Sequence, residues 1–296
     1  MLSIGVNNME LQLRAKTMSS PQKRRITESI MTTEIDGLTI TTKVSGSGPP
    51  LVFYHGWIGN EDTFGMCHEA FARHFTVYRP AWPGYGGSTP LPHFSMEDFI
   101  ELGRKYIEKL SLGKITLVGN CLGGNIAMEV VYRYPELVER LILIEVHAYF
   151  PKYLYPLLIP GVNKLLYRIV FKTGTGFNFL NSFLPLQQSN GNNGWLYTWE
   201  GFERTRIESA LDFLSAIHRF SKGRFAFYRE KYRTEVPVLY VEGGRSFGPI
   251  GEFGKLVSTY FKNLTIVSIP ESLHNPVVEK PEIFNERVLR ALGLEE

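Results

Sequence analysis

The stretch ITLVGNCLGGNIA, residues 115–127, reads as a strand that turns sharply into a helix. Ile115, Thr116, Leu117 and Val118 form an apolar, β-favouring run. Gly119-Asn120-Cys121-Leu122-Gly123 follows, then Gly124 and a segment of helical character. Glycine two residues before and two after a central nucleophile is the spacing of a nucleophile elbow. The central residue takes a left-handed-type backbone conformation that lifts its side chain clear of the sheet. β-Carbons on its neighbours would clash there, so glycine occupies those places. The helix that starts at the turn aims free N–H groups at the presented side chain, which favours an anion. Here that side chain is the thiol of Cys121.

Working outward, the 296 residues are 44% hydrophobic and 21% charged, which suits one large α/β domain with an insertion or two small domains. The net charge of +3 is too small to argue for nucleic acid as a partner. Cys67 and Cys121 make no disulfide framework, and Cys67 reads as a helix-face residue. Residues 1–25 lack the apolar core of a signal peptide and end in Lys23-Arg24-Arg25, so they read as a flexible tail. No uncharged apolar run reaches about eighteen residues, so stable membrane insertion is not expected and the cytoplasm is the default compartment.

Strand patterns occur at residues 26–33 and 38–45, which flank the hairpin signal Asp36-Gly37, and at 51–54, 75–78, 115–118, 141–144, 236–241 and 264–269. Helical patterns fall at 61–74, 96–110, after the elbow, at 202–219 and at 283–292. The alternation predicts a parallel α/β sheet. Residues 141–144 are wholly apolar, as in a strand covered on both faces. After them the chain leaves the sheet for a long excursion, broken by prolines 151, 156 and 160 and containing a turn at Gly191-Asn192-Asn193-Gly194. The expected division is a core of residues 26–146 and 226–296 with a lid of residues 147–225.

Five motifs stand in one order: His55-Gly56-Trp57, Pro83-Gly84-Tyr85-Gly86-Gly87-Ser88, the elbow at Cys121, Glu145 after the sixth strand, and Leu273-His274-Asn275 after the last. In this the chain resembles the α/β-hydrolase superfamily over nearly its whole length after the tail. The resemblance implies the α/β-hydrolase fold: a mostly parallel eight-stranded sheet flanked by helices, with a helical cap inserted after strand six. The lidded haloalkane dehalogenase-like branch looks nearest, because one of its subgroups carries its acid after strand six. Many superfamily members place an aspartate after strand seven instead; here Gly243-Gly244-Arg245-Ser246 puts Ser246 at that position. Dehalogenases use an aspartate nucleophile followed by a tryptophan, whereas this chain has Cys121 and Leu122, which argues against dehalogenation.

The resemblance implies a Cys121–His274–Glu145 triad. Cysteine attacks as its thiolate, His274 would serve as general base and then acid, and Glu145 would orient and stabilise the imidazolium. The backbone N–H groups of Trp57 and Leu122 match the oxyanion-hole positions. Glu242, ending the strand pattern 236–241, is the rival acid. A Glu145 oxygen is expected within about 3.2 Å of a His274 ring nitrogen. No His, Cys and carboxylate residues have metal-ligand spacing, and no phosphate-binding loop pattern occurs, so neither metal nor cofactor is expected.

The excursion holds Tyr149, Phe150, Tyr153, Leu154, Tyr155, Leu157, Leu158 and Ile159, too apolar for an ordinary exposed loop. They either pack on the core or line a tunnel for an apolar acyl chain, with His147, Tyr149, Phe150 and Tyr153 as the expected substrate contacts. From residue 146 to 199 there is no Asp or Glu; Lys152, Lys164, Arg168 and Lys172 carry all the charge. They form either a solvated basic face or an attraction for an anionic partner such as an acyl carrier protein, acyl-CoA or a lipid surface. The sequence thus points to a cysteine-dependent acyl hydrolase or acyltransferase acting on an ester or thioester through an acyl-cysteine. The alternative is a non-catalytic, ligand-binding protein that kept the fold.

Overall fold

Alternate side chains of the central strands feed two separate cores, which is why these strands read as unbroken apolar runs. Val52, Tyr54, Leu141 and Leu143 join the cluster on one face of the sheet; Leu51, Phe53, Ile142 and Ile144 join the other. The structure, a computed structural model, describes residues 26–57, 59–176, 205–221, 234–246 and 248–294. The tail 1–25, the turn expected at 191–194 and the expected lid boundary at residues 225 and 226 lie outside the described residues.

The strands β1 (Glu28–Ile35), β2 (Leu38–Ser45), β3 (Pro50–Tyr54), β4 (Thr76–Pro80), β5 (Ile115–Asn120), β6 (Val138–Ile144), β7 (Val238–Gly243) and β8 (Leu264–Ile269) form an eight-stranded sheet. Its order is β1-β2-β4-β3-β5-β6-β7-β8. The β1–β2 and β2–β4 pairs are antiparallel and the rest are parallel. Asp36 and Gly37, both with positive φ, make the two-residue hairpin turn between β1 and β2. Among the described residues the helices are, in chain order, α1 (His68–Phe71), α2 (Met96–Lys109), α3 (Leu122–Arg133), α4 (Asn163–Phe171), α5 (Ile207–Phe220), α6 (Gly248–Tyr260), α7 (Pro276–Glu279) and α8 (Pro281–Ala291). This is the α/β-hydrolase fold, and α4, α5 and a 3₁₀ segment, Lys152–Leu158, stand between β6 and β7 as a cap.

Two local expectations need correction. The helical pattern at 61–74 yields only the single turn α1. Ahead of it, Asn60 Oδ1 accepts from Asp62 N at 2.8 Å and Thr63 Oγ1 from Asn60 N at 3.0 Å. Such side-chain-to-backbone bonds offer an alternative to helix. Strand β7 also runs past residue 241, so Glu242 lies inside it, opposite Ser268.

The cap is fastened from below. Phe150, Leu154, Leu157, Tyr167 and Phe171 are buried in the same cluster as Phe213 and Leu214 of α5. Trp57, in the loop after β3, donates its indole N–H to Ala210 O of α5 at 2.9 Å and meets Tyr167 and Phe171 of α4 edge-on. Tyr153, Tyr155 and Ile159 remain exposed. The apolar run of the cap is therefore divided between core packing and surface.

The site depends on how closely α3 approaches the sheet. A β-carbon on Gly123 would lie 2.3 Å from His55 O and 2.4 Å from Tyr54 O, both backbone atoms of the β3 edge. One on Gly119 would lie 2.6 Å from Gly124 Cα. Gly123→Ala should destabilise the fold by about 2–3 kcal/mol through this overpacking. Thermal and urea unfolding would measure it; an unchanged midpoint would contradict the close packing of elbow and strand.

Candidate active site

Cys121 has φ 54° and ψ −128°, outside the ordinary wells for a residue with a β-carbon. Such strain costs of order 1–3 kcal/mol and persists only where the surroundings over-determine it. Here Cys121 N donates to Ile144 O of β6 at 2.8 Å, and Gly124 N donates to Cys121 O at 3.0 Å. The thiol is thereby presented at the C-terminal edge of β5, partly exposed, at the start of α3. Leu122 opens that helix, and its N–H is among the first-turn donors that have no partner within a helix.

The Trp57 N–H, the other position expected to serve as an oxyanion donor, is set by a residue the sequence offered only as part of a motif. His55 is buried. Its Nε2 accepts from Trp82 N at 3.0 Å, so its Nδ1 carries the proton and donates to Gly56 O at 2.8 Å. Burial holds this imidazole neutral, lowering its pKa to about 4 against the opposing effect of the Gly56 carbonyl. Gly56 O also accepts from Gly59 N at 3.1 Å. That carbonyl shares a peptide plane with the Trp57 N–H, so fixing one aims the other. The Gly56 backbone lies against Cys121: a β-carbon there would be 2.8 Å from Cys121 Cβ.

Two histidines, not one, approach the sulfur. His147 Nδ1 is 3.7 Å from Cys121 Sγ, and donor atoms of Cys121, His147 and His274 all lie within 4.8 Å of one another. The two imidazoles meet edge to face, with ring centroids 5.5 Å apart. His147 is buried, its carbonyl accepting from Asn125 Nδ2 of α3 at 3.0 Å while the next residue, Ala148, donates its N–H to Pro249 O. The sequence suggested His147 only as a pocket residue. Its place two residues beyond Glu145, at the edge where β6 ends, was the available signal for a position beside the sulfur.

Behind His274 stands Glu145, fully buried and itself at positive φ. The separation differs from the expectation of about 3.2 Å: Glu145 Oε2 is 3.9 Å from His274 Nδ1, and neither atom has a hydrogen-bond partner. The other oxygen is held firmly, Oε1 accepting from Gly243 N at 2.5 Å and from Ser246 Oγ at 2.6 Å. The serine at the usual aspartate position of strand seven thus anchors the carboxylate supplied by strand six. Glu242 lies elsewhere, its Oε2 against α6 at Gly254. The His274 loop is braced by Glu279, which accepts from Leu273 N at 2.6 Å, Asn275 N at 2.8 Å and Ser272 Oγ at 3.0 Å.

The electrostatics favour a thiolate–imidazolium pair. Burial by itself raises the Cys121 thiol, but His147 and then His274 outweigh it and bring the pKa down to about 5. Burial likewise disfavours charge on His274, and the Cys121 sulfur, then Glu145, override it and lift the pKa to about 10. The four cap residues expected to touch substrate separate. His147 meets the sulfur; Phe150 is buried against Tyr155 and His218. Tyr149 is half-buried. Tyr153 is 45% exposed, and its phenol is pushed above the usual range, first by desolvation and then by the charge of Cys121.

A family model for the alpha/beta hydrolase fold matches residues 49–281. The chain belongs to the α/β-hydrolase family. This hydrolase-family chain is 25% identical to a putative esterase/lipase of Haemophilus influenzae over 97% of its own length and 92% of the relative's. An uncharacterized protein of Mycobacterium bovis is 34% identical over 111 residues, and the match spans about a third of that relative, 33%, and 37% of this chain. A putative lipase of Acinetobacter baumannii superposes with TM-score 0.72 at 18% identity, covering 99% of this chain and 97% of that one. No described helix is long and apolar enough to cross a membrane.

The geometry sets the pH dependence of thiol chemistry in this α/β-hydrolase. A thiolate is present above the lowered pKa and lost below it, so alkylation of Cys121 by iodoacetamide should hold its rate from neutral pH down to about 5 and fall beneath that. An unpaired thiol would already fall below about 8.5. Cys67 should stay unlabelled, because burial and then the charge of Glu282 raise its thiol, which donates to Val277 O at 3.2 Å. Rates followed by peptide mapping would check this; a midpoint near 8.5 or equal labelling of Cys67 would contradict it.

Proposed function

We propose that this protein is a cysteine-dependent acyl hydrolase or acyltransferase acting on an ester or thioester of an apolar acyl group. The observation that carries the reading is the meeting of Cys121, His147 and His274 at one point on the elbow, with Glu145 behind His274. Family membership and the esterase/lipase relative support hydrolysis of an ester as the class. The acid placement after β6 is the part of the dehalogenase-like resemblance that this reading retains.

The Cys121 thiolate attacks the acyl carbon, and the carbonyl electron pair moves to oxygen. The N–H groups of Trp57 and Leu122 stabilise that oxyanion. As the tetrahedral adduct collapses, the bond to the leaving group breaks and imidazolium His274 gives it a proton, leaving an acyl-cysteine thioester. Neutral His274 then takes a proton from water, or from an alcohol or amine, as that acceptor attacks the thioester. Collapse expels the Cys121 thiolate and restores the imidazolium. Glu145 stabilises the charged ring in both halves, and its 3.9 Å separation shortens as the reacting complex forms, as apo geometries commonly do. Against a thioester the attacking and leaving sulfurs are of similar basicity, so exchange is facile. Tyr149 and Tyr153 are the cap side chains proposed to line the acyl site. The basic cap residues Lys152, Lys164, Arg168 and Lys172 supply attraction for an anionic carrier such as acyl carrier protein or acyl-CoA, though Lys164 is already paired with Glu208.

Cys121→Ala should reduce turnover by at least about a thousandfold with little change in melting temperature. Intact mass spectrometry with a panel of acyl esters and thioesters should show a single acyl adduct on the unmodified enzyme and none on the variant. Turnover above a tenth of wild type in the variant would overturn the nucleophile assignment. In a separate comparison, Glu145→Gln should lower kcat by orders of magnitude while Glu242→Gln leaves most of it, since an amide cannot compensate the imidazolium. The reverse ranking would move the acid to β7. If the cap holds the acyl chain, kcat/KM should rise with chain length by up to a few-fold per methylene, from about 0.8 kcal/mol each. A flat profile would remove the cap from substrate binding.

A further inference from the structure

The three donors gathered at the elbow form a set that hydrolysis by a single Cys–His pair does not need. A thiol and two imidazoles, from residues 26 and 153 positions downstream of it, converge so that one donor atom of each lies within 4.8 Å of the others. We propose that Cys121, His147 and His274 form a reversible binding site for a soft divalent cation, Zn²⁺ above all, and that its occupation switches the thiol off.

The geometry is close to what such an ion requires. Zinc bonds of about 2.3 Å to sulfur and about 2.0–2.1 Å to nitrogen, at tetrahedral angles, place sulfur and nitrogen about 3.5 Å apart and two nitrogens about 3.3 Å apart. His147 Nδ1 is already 3.7 Å from Cys121 Sγ. His274 turns its Nδ1 toward Glu145, which leaves Nε2 for the ion. The remaining closure is at most about 1.5 Å, within reach of side-chain rotation. One thiolate and two imidazoles select zinc, cadmium, cobalt or copper over magnesium and calcium, which prefer oxygen.

The surroundings supply what lies behind the ligands. The Glu145 carboxylate lies behind His274 with Oε2 and Nδ1 both lacking a hydrogen-bond partner, the arrangement in which a carboxylate orients a metal-bound imidazole. The His147 backbone is tied to α3 through Asn125 Nδ2. Cys121 and His274 are both partly exposed, so an ion has a path from solvent, and three protein ligands leave the fourth position open. A sulfur lone pair donated to the ion cannot attack a carbonyl carbon, and an imidazole donated to it cannot take a proton. Bound metal and acyl-cysteine are therefore mutually exclusive states of one atom.

The test uses the full chain and two probes, Co²⁺ for its spectrum and Zn²⁺ for competition. One Co²⁺ per chain should give intense tetrahedral visible bands with a sulfur-to-metal charge-transfer band, and Zn²⁺ should displace it. Zn²⁺ should protect Cys121 from iodoacetamide, and a chelator should restore labelling. Cys121→Ser should abolish the charge-transfer band. His147→Gln should weaken Zn²⁺ binding by about a hundredfold while buried Cys67 stays unlabelled by iodoacetamide, which shows that the fold remains intact. Glu145→Gln should weaken it by about 10–100-fold. A weak octahedral Co²⁺ spectrum, or unchanged affinity in His147→Gln, would overturn the inference. It rests on the placement of the three side chains and not on turnover. Should Cys121→Ala keep its activity, the acyl-transfer reading fails and the metal titration still decides the cation site.

Discussion

The backbone of α3 meets the backbone of β3 without room for a single β-carbon between them. The carbonyls of Tyr54 and His55 stand 2.4 and 2.3 Å from where one would project at residue 123. This contact fixes the relation between Cys121 and the loop that follows β3. With α3 held there, the chain leaving β5 must reverse at Cys121 through a positive φ, and Gly56 comes to lie against the sulfur. The neutral His55 then locks the Gly56 carbonyl, and with it the direction of the Trp57 N–H. Cys121 and the N–H groups of Trp57 and Leu122 are thus held together by main chain, and Trp57 ties that unit to the cap through Ala210.

The side of the site formed by Glu145, His147 and His274 is built differently. Glu145, His147 and His274 come from chain that has left the sheet, and their positions depend on polar braces. Ser246 and the Gly243 N–H hold Glu145; Asn125 holds the His147 backbone; Glu279 grips the His274 loop on both sides. Burying a carboxylate as completely as Glu145 is tolerable only because one oxygen takes two donors while the other faces an imidazole. The strand-six and strand-seven loops converge on one place in space, so a carboxylate entering from either could serve the same ring.

How much of this the sequence revealed follows the range of the interactions. The sheet was legible because apolar strands and glycine turns are local patterns, and Asp36-Gly37, the elbow and the β6 edge at Glu145 are written in consecutive residues. The proximity of His274 to Cys121 was legible only through the order of motifs. His147 was legible only as a pocket residue, from its place two residues past Glu145, and the roles of His55, Ser246 and Glu279 were not legible. Each acts on a residue distant in sequence or through a backbone group, and neither leaves a local spacing to read. The helix expected at 61–74 failed for the converse reason: Asn60 and Thr63 satisfy nearby N–H groups themselves, a competition that periodicity does not register. The cap was half legible, since an apolar run cannot say which residues, such as Phe150 and Leu154, turn inward and which, such as Ile159, stay outside.

The isolation of Cys67 carries a consequence for how the protein withstands oxidants. Cys67 is buried in the cluster on the α1 and α8 side of the sheet, bonded to Val277 O, while Cys121 opens at the strand edge as the accessible sulfur. The chain has no third cysteine. A peroxide that converts the Cys121 thiolate to a sulfenic acid therefore finds no resolving thiol within the molecule, and no internal disulfide can hold the sulfur at a recoverable stage. Return to the thiolate depends on a small thiol diffusing in, and the alternative is further oxidation that cannot be reversed. The lifetime of the accessible sulfur is thus set by the reducing power of its surroundings.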